Sequence, residues 1–241
     1  METVVEIEHL KKSFGTNEVL KDITLKIKAG ENLVVFGKSG SGKSVLIKCL
    51  VGLIPPDGGT VKLLGQNSLG LNKGDLNVLR KKIGFLFQSA ALYDSMSVRE
   101  NLEFPLRDLK SKTKEDINKL VLETLKSVGL EEAIDKMPSE LSGGMRKRVG
   151  LARTLILKPQ IILYDEPTTG LDPITSREIS KLILDIQKKY NAASIIITHD
   201  VECARITANR MIIIKNGAIE AEGTFNELSE SKDEWVRSFF K

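Results

Sequence analysis

Near the start of the chain, residues 37–44 read Gly37-Lys38-Ser39-Gly40-Ser41-Gly42-Lys43-Ser44. They match the phosphate-binding pattern G-x-x-x-x-G-K-[ST] at every required position. The apolar residues 32–36 before them predict a strand, and residues 45–51 after them predict the start of a helix. Glycines let consecutive backbone N–H groups turn toward an anion, and the helix dipole points its positive end there. A plain glycine-rich surface turn is the alternative, but the flanks favour a site for a nucleoside triphosphate.

Two acidic residues at the end of another apolar run predict where a metal ion and the attacking water molecule bind in this site. Residues 161–164 are apolar and are followed by Asp165 and Glu166. In P-loop nucleotidases an acid at this position binds Mg²⁺ with the loop serine, here Ser44, while the loop lysine, Lys43, reaches the β- and γ-phosphates. Glu166 would then orient or deprotonate the attacking water. Alone, the two acids could be ordinary surface carboxylates; beside the phosphate loop they predict hydrolysis.

Gln88 and His199 each follow an apolar run that predicts a strand, residues 83–87 and 194–198 respectively. Ligands of open α/β sheets collect at the carboxyl ends of the strands. A lone histidine is usually structural, but this placement favours a functional role for His199. The same placement predicts that Gln88 lies near the metal and the water.

Composition limits the class of protein. The chain has 241 residues, 41% hydrophobic and 28% charged, which fits one folded domain, with or without an inserted subdomain. The net charge of +4 and 5% aromatic content do not indicate a nucleic-acid partner. Cys49 and Cys203 lack C-x-x-C spacing, so we expect buried free thiols. No signal peptide and no run of 18 apolar residues is found, so we expect a protein that is neither exported nor membrane-spanning.

The predicted elements indicate an α/β fold. Alternating residues predict strands at about 4–10 and 19–28, an antiparallel β layer ahead of the phosphate loop. The later apolar runs alternate with helical patterns, which predicts a mostly parallel sheet. Residues 211–215 and 218–222, joined by an Asn-Gly turn, predict a hairpin.

Helical patterns dominate the middle of the chain. Ser97 and Glu100 have the spacing of a capping box, and residues 113–128 carry apolar side chains at helical spacing. We therefore expect an inserted α-helical subdomain over about residues 89–139.

The order of these motifs resembles the ATPase subunit of the ATP-binding cassette (ABC) transporters over essentially the whole chain. The most specific element is Leu141-Ser142-Gly143-Gly144, which resembles the ABC signature and lies between Gln88 and Asp165. The resemblance implies a P-loop NTPase core, a single nucleotide-binding domain over residues 1–241, and ATP and Mg²⁺ as ligands. It also implies that Ser44, Gln88 and Asp165 contact the metal.

In this family two nucleotide-binding domains pack head to tail with two ATP molecules between them. By that resemblance Ser142, Gly143 and Gly144 would contact the γ-phosphate held by the opposite subunit, which suits a helix N-terminus with free N–H groups. His199 matches the histidine that contacts the γ-phosphate, and Asp172 matches the aspartate that links the two sites.

Two positions depart from the family pattern. Phe14 matches the aromatic residue that stacks on adenine, although the family more often has Tyr; from the residue type alone, a core position is the alternative. Met145 replaces the common Gln at the fifth signature position, and no role is carried over to it.

A narrower resemblance concerns the transported substrate. The run from Phe87 to Leu106 is similar to the ATPases of the phospholipid transporters that maintain outer-membrane lipid asymmetry, the Mla type. Residues 98–106 are shared with several amino-acid importers, whereas Ala91-Leu92-Tyr93-Asp94-Ser95 is more specific.

The Mla-type resemblance implies a homodimer bound to a separate integral-membrane permease at the cytoplasmic face of the inner membrane. A periplasmic mammalian-cell-entry domain protein would be a further partner. Phospholipid would be handled by the complex rather than bound by this subunit. The alternatives are an amino-acid or other small-molecule importer, a soluble ABC ATPase, and a nucleotide-binding scaffold without turnover.

The end of the chain predicts a short helical extension over about residues 224–241. Trp235 and Phe239, and Val236 and Phe240, lie four residues apart and would form an apolar stripe. The stripe could pack on the chain's own core or dock on a partner subunit.

Overall fold

The structure is a computed structural model that describes residues 2–107 and 113–241. The strands are β1 (Thr3–Phe14), β2 (Asn17–Lys28), β3 (Asn32–Phe36), β4 (Gly58–Leu63), β5 (Gln66–Asn67), β6 (Ile83–Leu86), β7 (Ile161–Asp165), β8 (Ala193–Ile197), β9 (Arg210–Lys215) and β10 (Ala218–Gly223). The α-helices are α1 (Lys43–Leu50), α2 (Lys73–Arg80), α3 (Val98–Glu103), α4 (Lys114–Ser127), α5 (Gly143–Leu155), α6 (Pro173–Tyr190), α7 (Val201–Thr207), α8 (Phe225–Ser229) and α9 (Glu234–Arg237). Within the described ranges, no helix is long and apolar enough to cross a lipid bilayer.

Five parallel strands form one half of the sheet in the order β9, β3, β8, β7, β6, with β6 at the edge. Every residue of β3, β7 and β8 is buried, as expected for strands covered on both faces. Their register aligns Phe36, Asp165 and Leu86 close to one edge. The predicted α/β fold with a mostly parallel sheet is confirmed.

Alternate residues of β3 divide between two apolar cores. Val34 and Phe36 pack with the helices of the chain's middle and with the chain's end, while Leu33 and Val35 pack with α1 and the N-terminal strands. This follows from the two-residue side-chain period of a strand. The phosphate loop, which follows Phe36, is therefore anchored from both faces.

The predicted N-terminal antiparallel layer is present, and it is longer than the sequence indicated. β1 pairs with β2 and β4 and continues to Phe14, past the predicted end at about residue 10. Register shifts interrupt its pairing with β2 after Ile7 and after Leu10. The expected end of the first strand at about residue 10 was wrong, because these irregularities break the alternation without ending the strand.

The hairpin of β9 and β10 is confirmed, and it joins the two parts of the sheet. β10 pairs antiparallel with β9 and meets β2 at Ala218 and Asp22. The amide of Lys21 donates a hydrogen bond of 2.9 Å to the carbonyl of Gly217. The antiparallel layer therefore stands beside the phosphate loop as part of one ten-stranded sheet.

Helices α3 and α4 lie within the range predicted as a helical insertion. Ser97 and Thr113 cap them through complete capping boxes with Glu100 and Asp116. Residues 108–112 of the range lie outside the described residues. The boundaries at about 89 and 139 stay a prediction.

At the end of the chain, the apolar side chains pack inward. Helix α9 ends at Arg237, so the predicted stripe continues beyond the helix. Val236 is 3% exposed, and the rings of Phe239 and Phe240 lie 6.4 and 6.0 Å from the ring of Phe36. Of the two alternatives for this stripe, packing on the chain's own core is the one that the contacts show.

Candidate functional site

A cleft of about 830 Å³ opens at the carboxyl ends of the parallel strands, in front of the phosphate loop. It is lined by Phe14, Val19, Phe36, Gly37, Lys38, Ser39, Gly40, Gly42, Lys43, Ser44, Val45, Gln88, Glu166, His199 and Phe239. Residues from four separate predicted motifs therefore meet at one place, because neighbouring parallel strands end at the same edge of the sheet.

The phosphate loop requires glycine where it enters α1. Gly42 is the N-cap of α1 and has a φ of 101°, and a Cβ there would lie 2.8 Å from the carbonyl oxygen of Val19. Any other residue at this position would be strained and would collide with β2. Residues 42–45, at the start of α1, line the cleft, and the first N–H groups of a helix have no acceptor within the helix.

Lys43 lies across the loop and is 8% exposed. Its Nζ donates hydrogen bonds to the carbonyl oxygens of Gly37 and Lys38, at 2.7 and 3.0 Å. Burial lowers the pKa of Lys43, while the carboxylates of Glu166 and Asp165 oppose that change. The hydroxyl of Ser41 is buried and has no hydrogen-bond partner among the described residues. This cradle of donors fits the phosphates of a nucleotide.

Ser44 and Asp165 form the candidate metal site. The Ser44 hydroxyl donates a hydrogen bond of 3.2 Å to Oδ1 of Asp165. Burial raises the pKa of the Asp165 carboxyl, the hydroxyl of Ser44 opposes this, and the charge of Glu166 adds to the rise. In the described ranges, no group of three or more His, Cys, Asp or Glu side chains could hold a metal ion. Two hard oxygens therefore fit a Mg²⁺ ion that takes its other ligands from phosphate and water.

Glu166 and His199 meet beside the cleft. Oε2 of Glu166 lies 2.8 Å from Nδ1 of His199 and accepts a hydrogen bond of 3.0 Å from the Thr169 hydroxyl. The Glu166 side chain is 14% exposed and that of His199 is 69% exposed. Glu166 also has a φ of 51°, a conformation that non-glycine residues rarely adopt outside constrained sites.

The surroundings of Phe14 differ from one expectation. Phe14 is 50% exposed and lines the cleft, so the alternative that it is a core residue was wrong. It stands at the end of β1, where the chain turns toward β2, and Nζ of Lys12 lies 5.3 Å from its ring centroid. Phe239 lines the same cleft, although the sequence placed it only on an apolar stripe.

The signature residues and Asp172 lie apart from this cleft and close to each other. Ser142 is the N-cap of α5 and Asp172 the N-cap of α6. A Cβ at Gly144 would lie 2.6 Å from Cγ2 of Thr175, so glycine permits the two helix starts to pack closely. Asp172 accepts hydrogen bonds from the amides of Ile174 and Thr175, both at 3.0 Å, and the Thr175 interactions lower its pKa. None of the four predicted residues lines the cleft of its own chain.

Sequence reasoning missed Lys147. This residue of α5 is 5% exposed, and its Nζ donates to the carbonyl oxygens of Gln88 and Glu166, at 2.5 and 3.1 Å. Burial lowers its pKa, and the carboxylates of Glu166 and Asp165 act in the opposite direction. The sequence did indicate that Lys147 is buried, because it lies four residues before Leu151 and therefore on the apolar face of its helix.

Comparisons with known proteins agree with this geometry. The sequence model of the family described as ABC transporter matches residues 20–169. The probable ribonucleotide transport ATP-binding protein mkl of Mycobacterium leprae is 41% identical over 239 residues, which are 99% of this chain and 69% of that protein. The intermembrane phospholipid transport system ATP-binding protein MlaF of Haemophilus influenzae is 37% identical over 240 residues, which are 100% of this chain and 91% of that protein.

A solved structure also shares the fold. It is the dimeric structure of a post-hydrolysis state of the ATP-binding cassette MJ0796 bound to ADP and Pi. The match has a TM-score of 0.84 and 33% sequence identity, and it covers 92% of this chain and 98% of that one. The chain therefore belongs to the ABC transporter family, as an ATP-binding subunit that hydrolyses ATP.

Proposed function

We propose that this subunit, as a homodimer under an integral-membrane permease, hydrolyses ATP to drive phospholipid transport between membranes of the cell envelope. It would act at the cytoplasmic face of the inner membrane. The observation that carries the ATPase part is the meeting of Lys43, Ser44, Glu166 and His199 around one cleft.

In the proposed reaction, the phosphate loop (residues 37–44) binds the phosphates and Phe14 stacks on adenine. Lys43 neutralises charge on the β- and γ-phosphates. Mg²⁺, held by Ser44 and Asp165 with Gln88 nearby, would withdraw charge from the phosphate oxygens when bound.

Glu166 accepts a proton from water as the water oxygen bonds to the γ-phosphorus. The bond from that phosphorus to the bridging oxygen breaks, and ADP keeps the electron pair. His199, 2.8 Å from Glu166, orients that carboxylate and donates toward the γ-phosphate. This division of roles follows the positions of the two side chains at the cleft.

The homodimer is proposed from the residues that lie outside the cleft. Ser142, Gly143 and Asp172 are exposed, and Ile174 beside them is 75% exposed. A second copy packed head to tail would cover this surface and bring the signature to the other copy's γ-phosphate. The solved relative with a TM-score of 0.84 is described as dimeric, which supports this arrangement.

Phospholipid is proposed as the substrate from two features. The similarity to MlaF covers nearly the whole of both chains. The segment 91–95 also carries the residues that resemble the Mla type, and in it Tyr93 packs on Phe104 with ring centroids 4.6 Å apart. This segment follows Gln88, so a change at the γ-phosphate would reach a permease docked beside it. A mammalian-cell-entry domain protein is proposed as the periplasmic partner.

Within the family, the competing substrates are ribonucleotides and amino acids. The similarity to mkl favours the first, and residues 98–106 are compatible with the second. A soluble ABC ATPase is the alternative from another class. All three retain the ATPase chemistry, so the partner proteins and bound molecules distinguish them.

Affinity purification from the native membrane in mild detergent, with mass spectrometry of proteins and lipids, tests the proposal. A permease, a mammalian-cell-entry protein and bound phospholipid are the expected result. A solute-binding protein without phospholipid would replace the lipid substrate by a small molecule. Ribosomal or DNA-repair partners would overturn the transporter role.

A further inference from the structure

We propose that Lys147 is a positioning residue for ATP hydrolysis, holding the backbones of Gln88 and Glu166 in fixed relation to each other. The inference rests on the proposed roles of Gln88 and Glu166 at the metal and the water. It adds a residue from the signature helix of the same chain to the hydrolytic site.

The contacts of Lys147 join three motifs. Gln88 follows β6 and Glu166 follows β7, two strands paired in parallel with Leu86 opposite Tyr164. The pairing between these two strands ends at Leu86 and Tyr164. Nζ of Lys147 donates to both carbonyl oxygens, at 2.5 and 3.1 Å, and so links the two segments where the sheet no longer does.

Burial of the Lys147 ammonium group costs free energy, because the charge loses its hydration. Lys147 is 5% exposed and its charge is compensated by two carbonyl dipoles and by the nearby carboxylates of Glu166 and Asp165. Apolar side chains of similar volume often stabilise a core as well as a buried charge does. Since packing alone does not require the charge, its value lies in orienting the groups that it contacts.

Both segments have a conformation that needs external support. Glu166 has a φ of 51°, and Ala90 and Ala91, just after Gln88, have φ values of 60° and 48°. Such backbones persist where surrounding contacts over-determine them. The Glu166 amide donates to Ile197 at 2.9 Å, and its carbonyl is held by Lys147.

Helix α5 supports the Gln88 segment at a second point. Nη2 of Arg153 donates a hydrogen bond of 3.0 Å to the carbonyl of Ala90. A Cβ at Gly150 would lie 2.9 Å from Cβ of Ala90, so the helix packs directly on the segment. Lys147, Gly150 and Arg153 are spaced by three residues and present one face to it.

This placement predicts an effect on turnover rather than on nucleotide affinity. Lys147 does not line the cleft, whereas the phosphate loop (residues 37–44), which is proposed to bind the phosphates, does. Loss of Lys147 would misplace the Glu166 carboxylate and the Gln88 side chain by small distances. Such displacements lower kcat while leaving ground-state binding intact.

The test uses the full chain with the membrane partners that copurify with it, and measures kcat and KM for ATP. We expect Lys147→Met to lower kcat about tenfold or more, with KM changed less than about threefold. Lys147→Arg should recover at least about half of that loss on a logarithmic scale, because it keeps the charge and the donors. Lys181→Met, the same change at an exposed site on α6, is the matched control and should leave both constants unchanged.

A kcat within about twofold of wild type in folded Lys147→Met, or a change confined to KM, would overturn the proposal. If Lys147→Met does not fold, Lys147→Leu, which also lacks a donor, replaces it, and equal kcat values for the Leu and Arg variants would then overturn the proposal. Glu166→Gln is assayed in parallel. Normal turnover in Glu166→Gln with slow turnover in Lys147→Met would remove the role of Glu166 and leave the requirement for Lys147.

Discussion

Oε2 of Glu166 lies 2.8 Å from Nδ1 of His199, at the point where β7 and β8 end beside the phosphate loop. The contact joins Glu166, the first residue after β7, to His199, which follows shortly after the end of the neighbouring strand β8. It leaves the carboxylate 14% exposed, and therefore partly shielded from water, with its orientation set by His199 and by Thr169. That arrangement suits a base that must face one water molecule.

Glu166→Gln tests the proposed base directly. The amide keeps the shape and one acceptor oxygen but does not accept a proton from water. We expect ATP binding to remain, an ATP-bound dimer to accumulate, and hydrolysis to fall at least about a hundredfold. Glu123→Gln, the same change at an exposed site of α4, is the control. Near-normal turnover in the Glu166 variant would assign the proton transfer to another group.

Asp165→Asn should raise the stability of the protein and lower its ATPase activity. Burial raises the pKa of the Asp165 carboxyl. A carboxyl group with a raised folded-state pKa favours the folded state at low pH, and this contribution is lost as pH rises from the unfolded pKa through the folded one. At neutral pH, without nucleotide or Mg²⁺, the ionised group therefore opposes folding. We expect Asp165→Asn to raise Tm at pH 7 and to weaken Mg²⁺-dependent hydrolysis.

The gain in Tm should shrink as the pH falls toward about 4, where the carboxyl of the unfolded chain also becomes protonated. Differential scanning fluorimetry across this pH range measures it. Asp185→Asn, at an exposed position of α6, provides the comparison and should not change Tm. A Tm for Asp165→Asn below that of the wild type at pH 7 would show that the carboxylate stabilises the fold instead.

Phe14→Ala should weaken ATP binding with little effect on stability. The ring is 50% exposed, so its removal exposes little core, whereas stacking on adenine would be lost. Aromatic stacking of about 1 kcal/mol corresponds to a rise in KM of about fivefold. Phe14→Tyr keeps the ring and is expected to retain the wild-type KM. An unchanged KM in the Ala variant would place adenine elsewhere.

Phe239→Ala tests the link between the chain's end and the cleft. Phe239 is partly buried, packs on Phe36 and lines the cleft. Loss of half of a phenylalanine's burial costs about 1–2 kcal/mol of unfolding free energy. We expect a lower Tm together with a higher KM for ATP. Leu122→Ala, a large-to-small change at a side chain that is 39% exposed, is the control.

The docking alternative gives a different result. If the end of the chain mainly binds a partner subunit, Phe239→Ala would reduce copurification of the partners and leave Tm and KM unchanged. Pull-down from membranes and ATPase assays on the same preparation distinguish the two outcomes.

Local patterns determined most of the architecture and the identity of the phosphate site. Residues 37–44 and their flanks specify a strand, a turn and a helix, because glycine placement and hydrophobic period act over a few residues. The placement of Asp165 at the end of β7 and of His199 shortly after β8 followed from the same periods, since parallel strands collect their carboxyl ends at one edge. The capping residue Ser97 was also visible, because a cap uses side chains only three residues apart.

Only the tertiary structure decided which residues support that site from a distance. Lys147 contacts Gln88 and Glu166 across 59 and 19 residues of sequence, and Phe239 reaches the strand that ends at Phe36. A buried lysine and a terminal phenylalanine carry no local pattern that names their partners. Their positions follow from the packing of helices on a completed sheet, where contacts are set by shape and by the need to satisfy buried polar groups.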